Sequence, residues 1–345
     1  MEFEKIVTEH GARYPKMEPR DYGKLAYQSA LGPEHLVPDG RGAYARLLEE
    51  WSALPAHAPH REPEDIGNGL CRFYLWDVED KALAAQVLVK LFCLTAERHA
   101  GSHGKLQENL CVLEKLPVPG MAEWLCEYRA QGCTPVRHSE EYRQAYGPRY
   151  RLLKREYARF FPLLLETAKL LRDRERVVIA IDGRCGSGKT TLSALMEQIF
   201  DCRIFHMDDF YLPWNRRAEN WMSIPGGNMD LERFRAEILD PAFAGQEVCY
   251  RRFDCGAGKV GEGELVPAKA LTVIEGSYSH HPALHAEYDL KIFLTCEKKE
   301  QRRRLMVREG DYFPTFESVW MPLEEQYIRM CDIESSGAMI CDTAT

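Results

Sequence analysis

The chain has 345 residues, 45% of them hydrophobic and 28% charged, which is longer than one hydrophobic core usually supports, so we expect two domains. Lys and Arg total 45 against 53 for Asp and Glu, and the formal net charge of -8 argues against a nucleic acid polymer as the main partner. No run of about eighteen apolar residues occurs, and the first residues lack the apolar centre of a signal peptide. We therefore expect a cytoplasmic protein with no membrane partner.

Residues 1–145 carry the patterns of an α+β domain. Apolar periodicity predicts helices over residues 43–54, 81–97 and 121–130, and GLCRFYLW, residues 69–76, predicts a strand. No spacing here specifies a metal site or a nucleophile; His99 and His103 are read as the polar end of a helix. Three roles stay open for this domain. It could select substrate, mediate oligomerisation or regulation, or be a second catalytic domain, and we favour the first two.

Residues 146–174 are predicted to connect the two domains. Within them, the apolar residues of YRLLKREYARFFPLLLETAKLLR, residues 150–172, fall near one face of a helix that Pro162 interrupts or kinks.

Residues 175–345 have the pattern of an α/β domain. Apolar, β-branched runs predict strands over residues 177–181, 203–206, 271–275 and 290–294, and GAMICDTAT predicts a final edge strand. Helices are predicted to begin near Lys189, Leu231 and Glu297, with a last one over residues 316–330. Alternating strands and helices indicate a parallel sheet flanked by helices, which binds ligands beyond the carboxyl ends of its strands.

The stretch GRCGSGKT, Gly183–Thr190, fits GxxxxGK[ST] and lies between a predicted strand and a predicted helix. In such a loop the backbone amides cradle an anion, the lysine reaches the β and γ phosphates, and the hydroxyl of Thr190 ligates Mg²⁺. The predicted ATP-binding residues of this loop are Gly183, Gly186, Ser187, Gly188, Lys189, Thr190 and Thr191. Arg184 could either reach a phosphate or face solvent.

The stretch FHMDDFYLP, residues 205–213, follows the second predicted strand of this domain. Its carboxylates should emerge at the same sheet edge as the glycine-rich loop Gly183–Thr190, which we call the phosphate loop. Phosphoryl transfer to a hydroxyl needs a carboxylate at the acceptor. We choose Asp208 as that base and place Tyr211 at the substrate. The alternative is that Asp208 or Asp209 only caps a turn.

Six stretches together resemble the uridine kinase-like branch of P-loop kinases, which includes uridine kinases, phosphoribulokinase and bacterial pantothenate kinase. The resemblance covers about residues 175–345. The stretches are, in chain order, IAIDGRCGSGKTT, FHMDDFYL, PGGNMDLERF, VIEGSYSHHP, YDLKIFLTCEKKEQRRRLMVREG and FESVWMPLEEQY. The resemblance implies a P-loop NTPase fold with ATP and Mg²⁺ as cofactors.

The resemblance also implies roles for particular residues. Asp208 would activate the acceptor hydroxyl near Mg²⁺, Glu275 would help to hold the metal, and Asp230 would grip sugar hydroxyls. The lid segment would supply Arg303, which binds ATP, and Arg304 and Arg308, which stabilise the charge of the transition state. Arg302 fits a solvated helix face better.

The acceptor is less well specified than the phosphate donor. Uridine kinases read the base through a hairpin that carries a histidine, and the comparable stretch VCYRRFDCGAGKVGEG has none in place. We assign Tyr250 to the substrate, with packing in the core as the equal alternative. The expected function is transfer of the γ-phosphoryl group of ATP to a nucleoside or nucleoside-like hydroxyl. A kinase of another alcohol or sugar and an ATP-dependent sensor are the alternatives, and a homo-oligomer is left open.

Overall fold

The computed structural model describes residues 2–33 and 40–344. The chain divides into two compact units, Met1–Phe161 and Pro162–Thr345, which we call the first and the second unit. The division falls inside a helix, α8 (Arg155–Asp173), that contributes residues to both units. In the described part of the chain, no helix is both long and apolar enough to cross a bilayer.

The first unit combines helices with a small antiparallel sheet. Its elements are α1 (Glu2–Arg13), α2 (Pro19–Leu31), α3 (Gly40–Ser52), β1 (Glu64–Gly67), β2 (Leu70–Tyr74), α4 (Lys81–Arg98), α5 (His103–Leu113), α6 (Met121–Ala130), α7 (Glu140–Tyr146) and β3 (Tyr150–Lys154). The strands pair in the order β1-β2-β3. The helices predicted over residues 43–54, 81–97 and 121–130 and the strand predicted over residues 69–76 are confirmed.

The helix predicted over residues 150–172 is wrong at its beginning. Residues 150–154 form β3, which pairs antiparallel with the whole of β2. The apolar residues there fit either period, and the hydrogen bonds offered by β2 decide for the strand. The helix then begins at Arg155 and continues past Pro162 to Asp173. A proline inside a helix removes one backbone donor, and here it does not end the element.

The second unit is an α/β domain. Its strands are β4 (Val177–Gly183), β5 (Cys202–His206), β6 (Val248–Asp254), β7 (Lys259–Val266), β8 (Leu271–Glu275), β9 (Leu290–Thr295) and β10 (Met339–Asp342). Its helices after α8 are α9 (Lys189–Ile199), α10 (Leu231–Phe234), α11 (Asp240–Ala244), α12 (Lys298–Glu309), α13 (Phe313–Thr315) and α14 (Met321–Met330). Short π-helical segments join α10 to α11 and α13 to α14.

The main sheet confirms the predicted architecture. Five parallel strands run in the order β10-β9-β4-β8-β5, so the first strand of the unit is central and the last lies at an edge. Every residue of β4 is buried, as expected for a strand covered on both faces. The glycine-rich loop joins this central strand to α9. This order, with that loop after the central strand, is the P-loop NTPase fold, and β6 and β7 form a separate hairpin.

Candidate functional site

The phosphate loop requires glycine at two positions, one for a close approach to β9 and one for its backbone conformation. Gly183 ends β4 with φ 144°, and a Cβ built on it would lie 2.1 Å from the carbonyl oxygen of Leu294 on β9. Gly188 has φ 98° and is the residue from which α9 begins. Side chains at these positions would push the loop off the sheet or out of the left-handed conformation, so both positions require glycine.

The loop presents a set of unpaired backbone donors. Within the described residues, five amides have no hydrogen-bond acceptor: those of Gly186, Gly188, Lys189, Thr190 and Thr191. The first amides of any helix lack partners in their own helix and carry partial positive charge. A bend of the chain followed by such a helix is a ready anion site.

Polar side chains of the loop point to the same use. The Lys189 side chain is buried, and its Nζ donates to the carbonyl oxygens of Gly183 at 2.7 Å and Arg184 at 3.2 Å. The hydroxyl of Ser187 is buried without a partner among the described residues. A lysine held only by neutral carbonyls can turn to an anion at little cost, because a charged phosphate is the better acceptor. These residues fit a polyphosphate.

A hydrogen-bonded chain of three side chains lies at the carboxyl edge of the sheet. Thr190 Oγ1 donates to Glu275 Oε1 at 3.3 Å, and Glu275 Oε2 lies 2.7 Å from His206 Nδ1. The hydrogen bond to Glu275 raises the pKa of His206. Hydroxyl and carboxylate oxygens suit Mg²⁺, which also keeps water and substrate phosphates as ligands. No cluster of three or more His, Cys, Asp or Glu side chains suited to a metal occurs in the described ranges.

Asp208 lies near these three hydrogen-bonded side chains. In the pairing of β5 with β8, His206 lies opposite Glu275. Asp208 lies two residues beyond His206, in a short 3₁₀ helix. The carboxylate is exposed, and its Oδ1 accepts a hydrogen bond of 2.9 Å from the hydroxyl of Tyr211. Burial, together with the charge of Asp208, raises the pKa of Tyr211 and keeps it a donor. The structure thus brings Asp208, Glu275 and Tyr211 to the edge that carries the phosphate loop.

The lid arginines are placed differently from one another. Arg304 reaches the phosphate loop, since its Nη1 donates to the carbonyl oxygen of Gly186 at 3.2 Å. Arg303 forms an exposed pair with Glu300 at 2.7 Å, and Arg308 pairs with its neighbour Glu309. Arg302 pairs with Glu317. Of these four described arginines, Arg304 is the one that donates a hydrogen bond to the loop.

Three other residues that the sequence brought forward are engaged elsewhere. Asp230 caps α10 by accepting from the amide of Arg233 at 3.3 Å, and its other oxygen contacts the Arg233 guanidinium. Tyr250 is 2% exposed and packs edge-on against Phe205, so the structure favours the packing alternative. Arg184 binds carboxylates, those of Glu325 at 2.5 Å and Glu334 at 2.9 Å.

Two carboxylates that support the loop were missed by sequence reasoning. Asp182 accepts from the Tyr327 hydroxyl at 2.7 Å and from the amide of His280 at 2.9 Å. Glu324 accepts from the amide of Cys185, inside the loop, at 2.8 Å. The EEQY sequence of α14 was the available signal, because acidic and hydroxyl groups three residues apart on a half-buried helix share one face.

No protein-family model matches the chain, and no curated protein does so either. Among solved structures, the chain is similar to a protein from Bacillus stearothermophilus provisionally named a uridine kinase, with 20% identity and a TM-score of 0.42. It is also similar to a protein from Silicibacter sp. TM1040 provisionally named a fructose transport system kinase, with 21% identity and a TM-score of 0.40. Each likeness covers 53% of this chain and 97% of the other chain.

Proposed function

We propose that the second unit is an ATP- and Mg²⁺-dependent kinase that transfers the γ-phosphoryl group to a hydroxyl of a nucleoside or nucleoside-like small molecule. One observation carries the proposal. The adjacent ends of β4, β8 and β5 bring together five unpaired loop amides, the Thr190–Glu275 pair and an exposed aspartate. These are an anion cradle, oxygen ligands and a base, the parts that phosphoryl transfer to an alcohol requires.

The roles of the side chains follow from their contacts. The loop amides and Lys189 would hold the β and γ phosphates, and Arg304 stands at the loop to oppose charge that builds on the transferred group. Thr190 and Glu275 would hold Mg²⁺, which supplies neutralisation of phosphate charge when bound. Tyr211 occupies Oδ1 of Asp208, so the other oxygen of this carboxylate is the one that would accept the proton of the substrate hydroxyl.

A kinase of another alcohol or of a sugar is the second candidate for the acceptor. Tyr250 was assigned to the substrate with core packing as the equal alternative, and it is buried in the core. The phosphate donor site does not depend on this residue, so the reaction type is the same for both candidates.

Replacement of Asp208 by Asn tests the proposal. ATP consumption by the wild type would first be measured with a library of nucleosides, sugars and coenzyme precursors. The turnover of the variant would then be measured with the acceptor that stimulates consumption. Loss of the base should lower turnover by roughly 10²- to 10⁴-fold while ATP affinity is kept. Asp201→Asn is the matched control, because Asp201 precedes the same strand at the opposite edge of the sheet and pairs with Lys269.

Two results would contradict the proposal. If no acceptor stimulates ATP consumption, or if Asp208→Asn consumes ATP as fast as the Asp201→Asn protein, the site does not perform this chemistry. An ATP-driven response of the intact chain without turnover would then favour the sensor.

A further inference from the structure

The first unit has a polar interior on one face of its small sheet. Arg72 on β2 stands opposite Glu64 of β1, and Tyr74 stands opposite Tyr150 of β3. Because alternate residues of a strand share a face, these four side chains lie together. Residues of α1, α2 and α7 pack over them. A face buried between a sheet and helices is normally apolar, so this arrangement needs an explanation.

Arg72 is the centre of this interior. Its side chain is 0% exposed, and Nε and Nη2 donate to one neutral oxygen, Gln28 Oε1, at 3.1 and 2.8 Å. Its Nη1 has no hydrogen-bond partner in the described part of the chain. The charge of Glu64, which stands opposite Arg72 on β1, acts on the guanidinium. A buried guanidinium nitrogen that donates to nothing is costly, because its N–H groups have lost water without gaining an acceptor.

The nearby carboxylates are already engaged. Glu64 accepts the Tyr74 hydroxyl at 2.8 Å and pairs with Arg61 at 3.1 Å and with Arg13 at 3.2 Å. Asp21 accepts from His138 Nδ1 at 2.7 Å and from Ser139 Oγ at 2.6 Å. Both carboxylates therefore have hydrogen-bond partners other than Arg72, although the charge of Glu64 also acts on Arg72.

A second cation increases the positive charge. Lys24 on α2 is half-buried, and its pKa is lowered to about 8, by burial first and then by the charge of Arg72, while the charge of Asp21 acts in the opposite direction. Its Nζ donates to a neutral acceptor, the carbonyl oxygen of Val136, at 3.0 Å. The interior therefore holds two cations, Arg72 and Lys24, beside the carboxylates of Asp21 and Glu64.

Tyr142 supplies another unused donor in the same network. Its side chain is 0% exposed, and its hydroxyl has no partner among the described residues. Its ring stacks on His138 with centroids 4.2 Å apart, and His138 Nε2 lies 2.7 Å from the Tyr150 hydroxyl. The Tyr150 hydroxyl in turn accepts a hydrogen bond from Gln28 Nε2 at 3.0 Å. The Arg72 guanidinium carbon lies 5.0 Å from the centroid of the Tyr150 ring.

We propose that the first unit binds a small oxyanion, a carboxylate or a phosphate group, through Nη1 of Arg72 and the hydroxyl of Tyr142. An oxyanion supplies acceptors for both of these unpartnered groups. Arginine and tyrosine hydroxyls are the donors that recognise such groups with fixed geometry. This site belongs to the first unit alone and does not depend on the kinase proposed for the second.

Equilibrium dialysis of the full-length chain tests the site. Radiolabelled inorganic phosphate and acetate are the two probes, at ionic strength held constant with chloride, and they distinguish a phosphate from a carboxylate ligand. Tyr142→Phe removes only a hydroxyl that has no protein partner, so this variant should fold. It should lower the affinity for the bound anion about tenfold or more, since a hydrogen bond to a charged group is lost.

Matched variants separate this site from the phosphate loop. Tyr128→Phe removes another buried hydroxyl without a partner, outside the network, and should leave binding unchanged. Lys189→Met should weaken phosphate binding at the loop and leave the site in the first unit intact, and Arg72→Met should abolish the latter. The proposal is overturned if neither probe binds saturably to the Lys189→Met protein, or if Tyr142→Phe binds both probes as Tyr128→Phe does.

Discussion

The chemistry proposed for the second unit depends on which partner each oxygen atom of its carboxylates has. Glu275 uses one oxygen for Thr190 and the other for His206, Asp208 receives Tyr211 on one oxygen, and Glu324 holds a loop amide. Glu275 and Glu324 are each held by a neighbour from a different segment, and Asp208 is held by a tyrosine three residues further on. Fixed carboxylates cost no reorganisation when a ligand arrives, which is how a site gains from preorganisation.

His138 in the first unit should make stability depend on pH. Burial is the main cause that lowers its pKa to about 4, with the charges of Arg72 and Lys24 acting in the same direction and the hydrogen bond to Asp21 opposing them. The unfolded chain therefore takes up a proton near pH 6.5 that the folded unit takes up only near pH 4. Stability should be complete above pH 6.5 and should fall as the pH drops from 6.5 toward 4.

Denaturant unfolding of the wild type and of His138→Gln at pH 7 and pH 4.5 would measure this. The wild type should lose on the order of 2 kcal/mol more than the variant over this interval. Asp21 acts at lower pH. Burial raises its pKa, but the hydrogen bonds from His138 and Ser139 outweigh burial and leave it lowered. His103→Gln, at an exposed position of the same unit, is the control. Equal losses in all three proteins would contradict the assignment.

At the scale of elements, the close fit of β4 to β9 can be tested at Gly183. Alanine there would place its Cβ 2.1 Å from the Leu294 carbonyl oxygen at φ 144°. We expect the unfolding free energy of the second unit to fall by roughly 3 kcal/mol, because strain and overpacking add. Gly258→Ala is the matched control, because its φ is 65° and nothing lies within 4 Å of the added atom. It should cost about 1 kcal/mol.

Chemical denaturation followed by tryptophan fluorescence would compare the two glycine variants. Equal losses of stability would mean that the backbone conformation, and not the contact with β9, sets the requirement for glycine. ATP affinity should also fall in Gly183→Ala alone, since only that substitution displaces the phosphate loop.

Local patterns predict much of the second unit and little of the interior of the first. The strands of the parallel sheet are apolar runs bounded by turn residues, and the loop before α9 carries a spacing that few other structures share. β3 could not be found this way, because its pairing with β2 decides a sequence that suits a helix equally. The Arg72 network depends on strand register and on α1, α2 and α7 meeting over one face. No local spacing records such contacts, although an arginine inside the apolar strand GLCRFYLW was a visible irregularity.

The residues of the candidate site in the second unit were likewise predictable only where a local motif marks them. Lys189, Thr190, Asp208 and Glu275 follow from motifs at strand ends, where topology alone brings them to one edge. Tyr250 and Asp230 were placed by analogy with a hairpin and a turn whose side-chain directions depend on packing. Packing buries the tyrosine, and the start of α10 engages the aspartate.

At the scale of the whole molecule, the hydrogen bonds that the described residues make to the phosphate loop come from the second unit. Residues that bond to the phosphate loop in the described chain, among them Leu294, Arg304 and Glu324, lie within Pro162–Thr345. The first unit has a separate apolar core with none of these residues in it. The binding of ATP should therefore be a property of the second unit, and the choice of acceptor is where the first unit could act.

A fragment of residues 155–345, which keeps α8 whole, should bind ATP with an affinity within about threefold of the intact chain, because no loop contact is lost. A fragment of residues 175–345 is the matched control. It lacks the buried residues Leu163, Leu164 and Thr167 of α8, so it should unfold at a lower temperature. Calorimetric titration with ATP, after circular dichroism has shown that the longer fragment is folded, gives the comparison. If that folded fragment binds ATP more than tenfold more weakly than the intact chain, the first unit takes part in the nucleotide site. Equal ATP binding with a changed acceptor preference would instead assign substrate selection to the first unit.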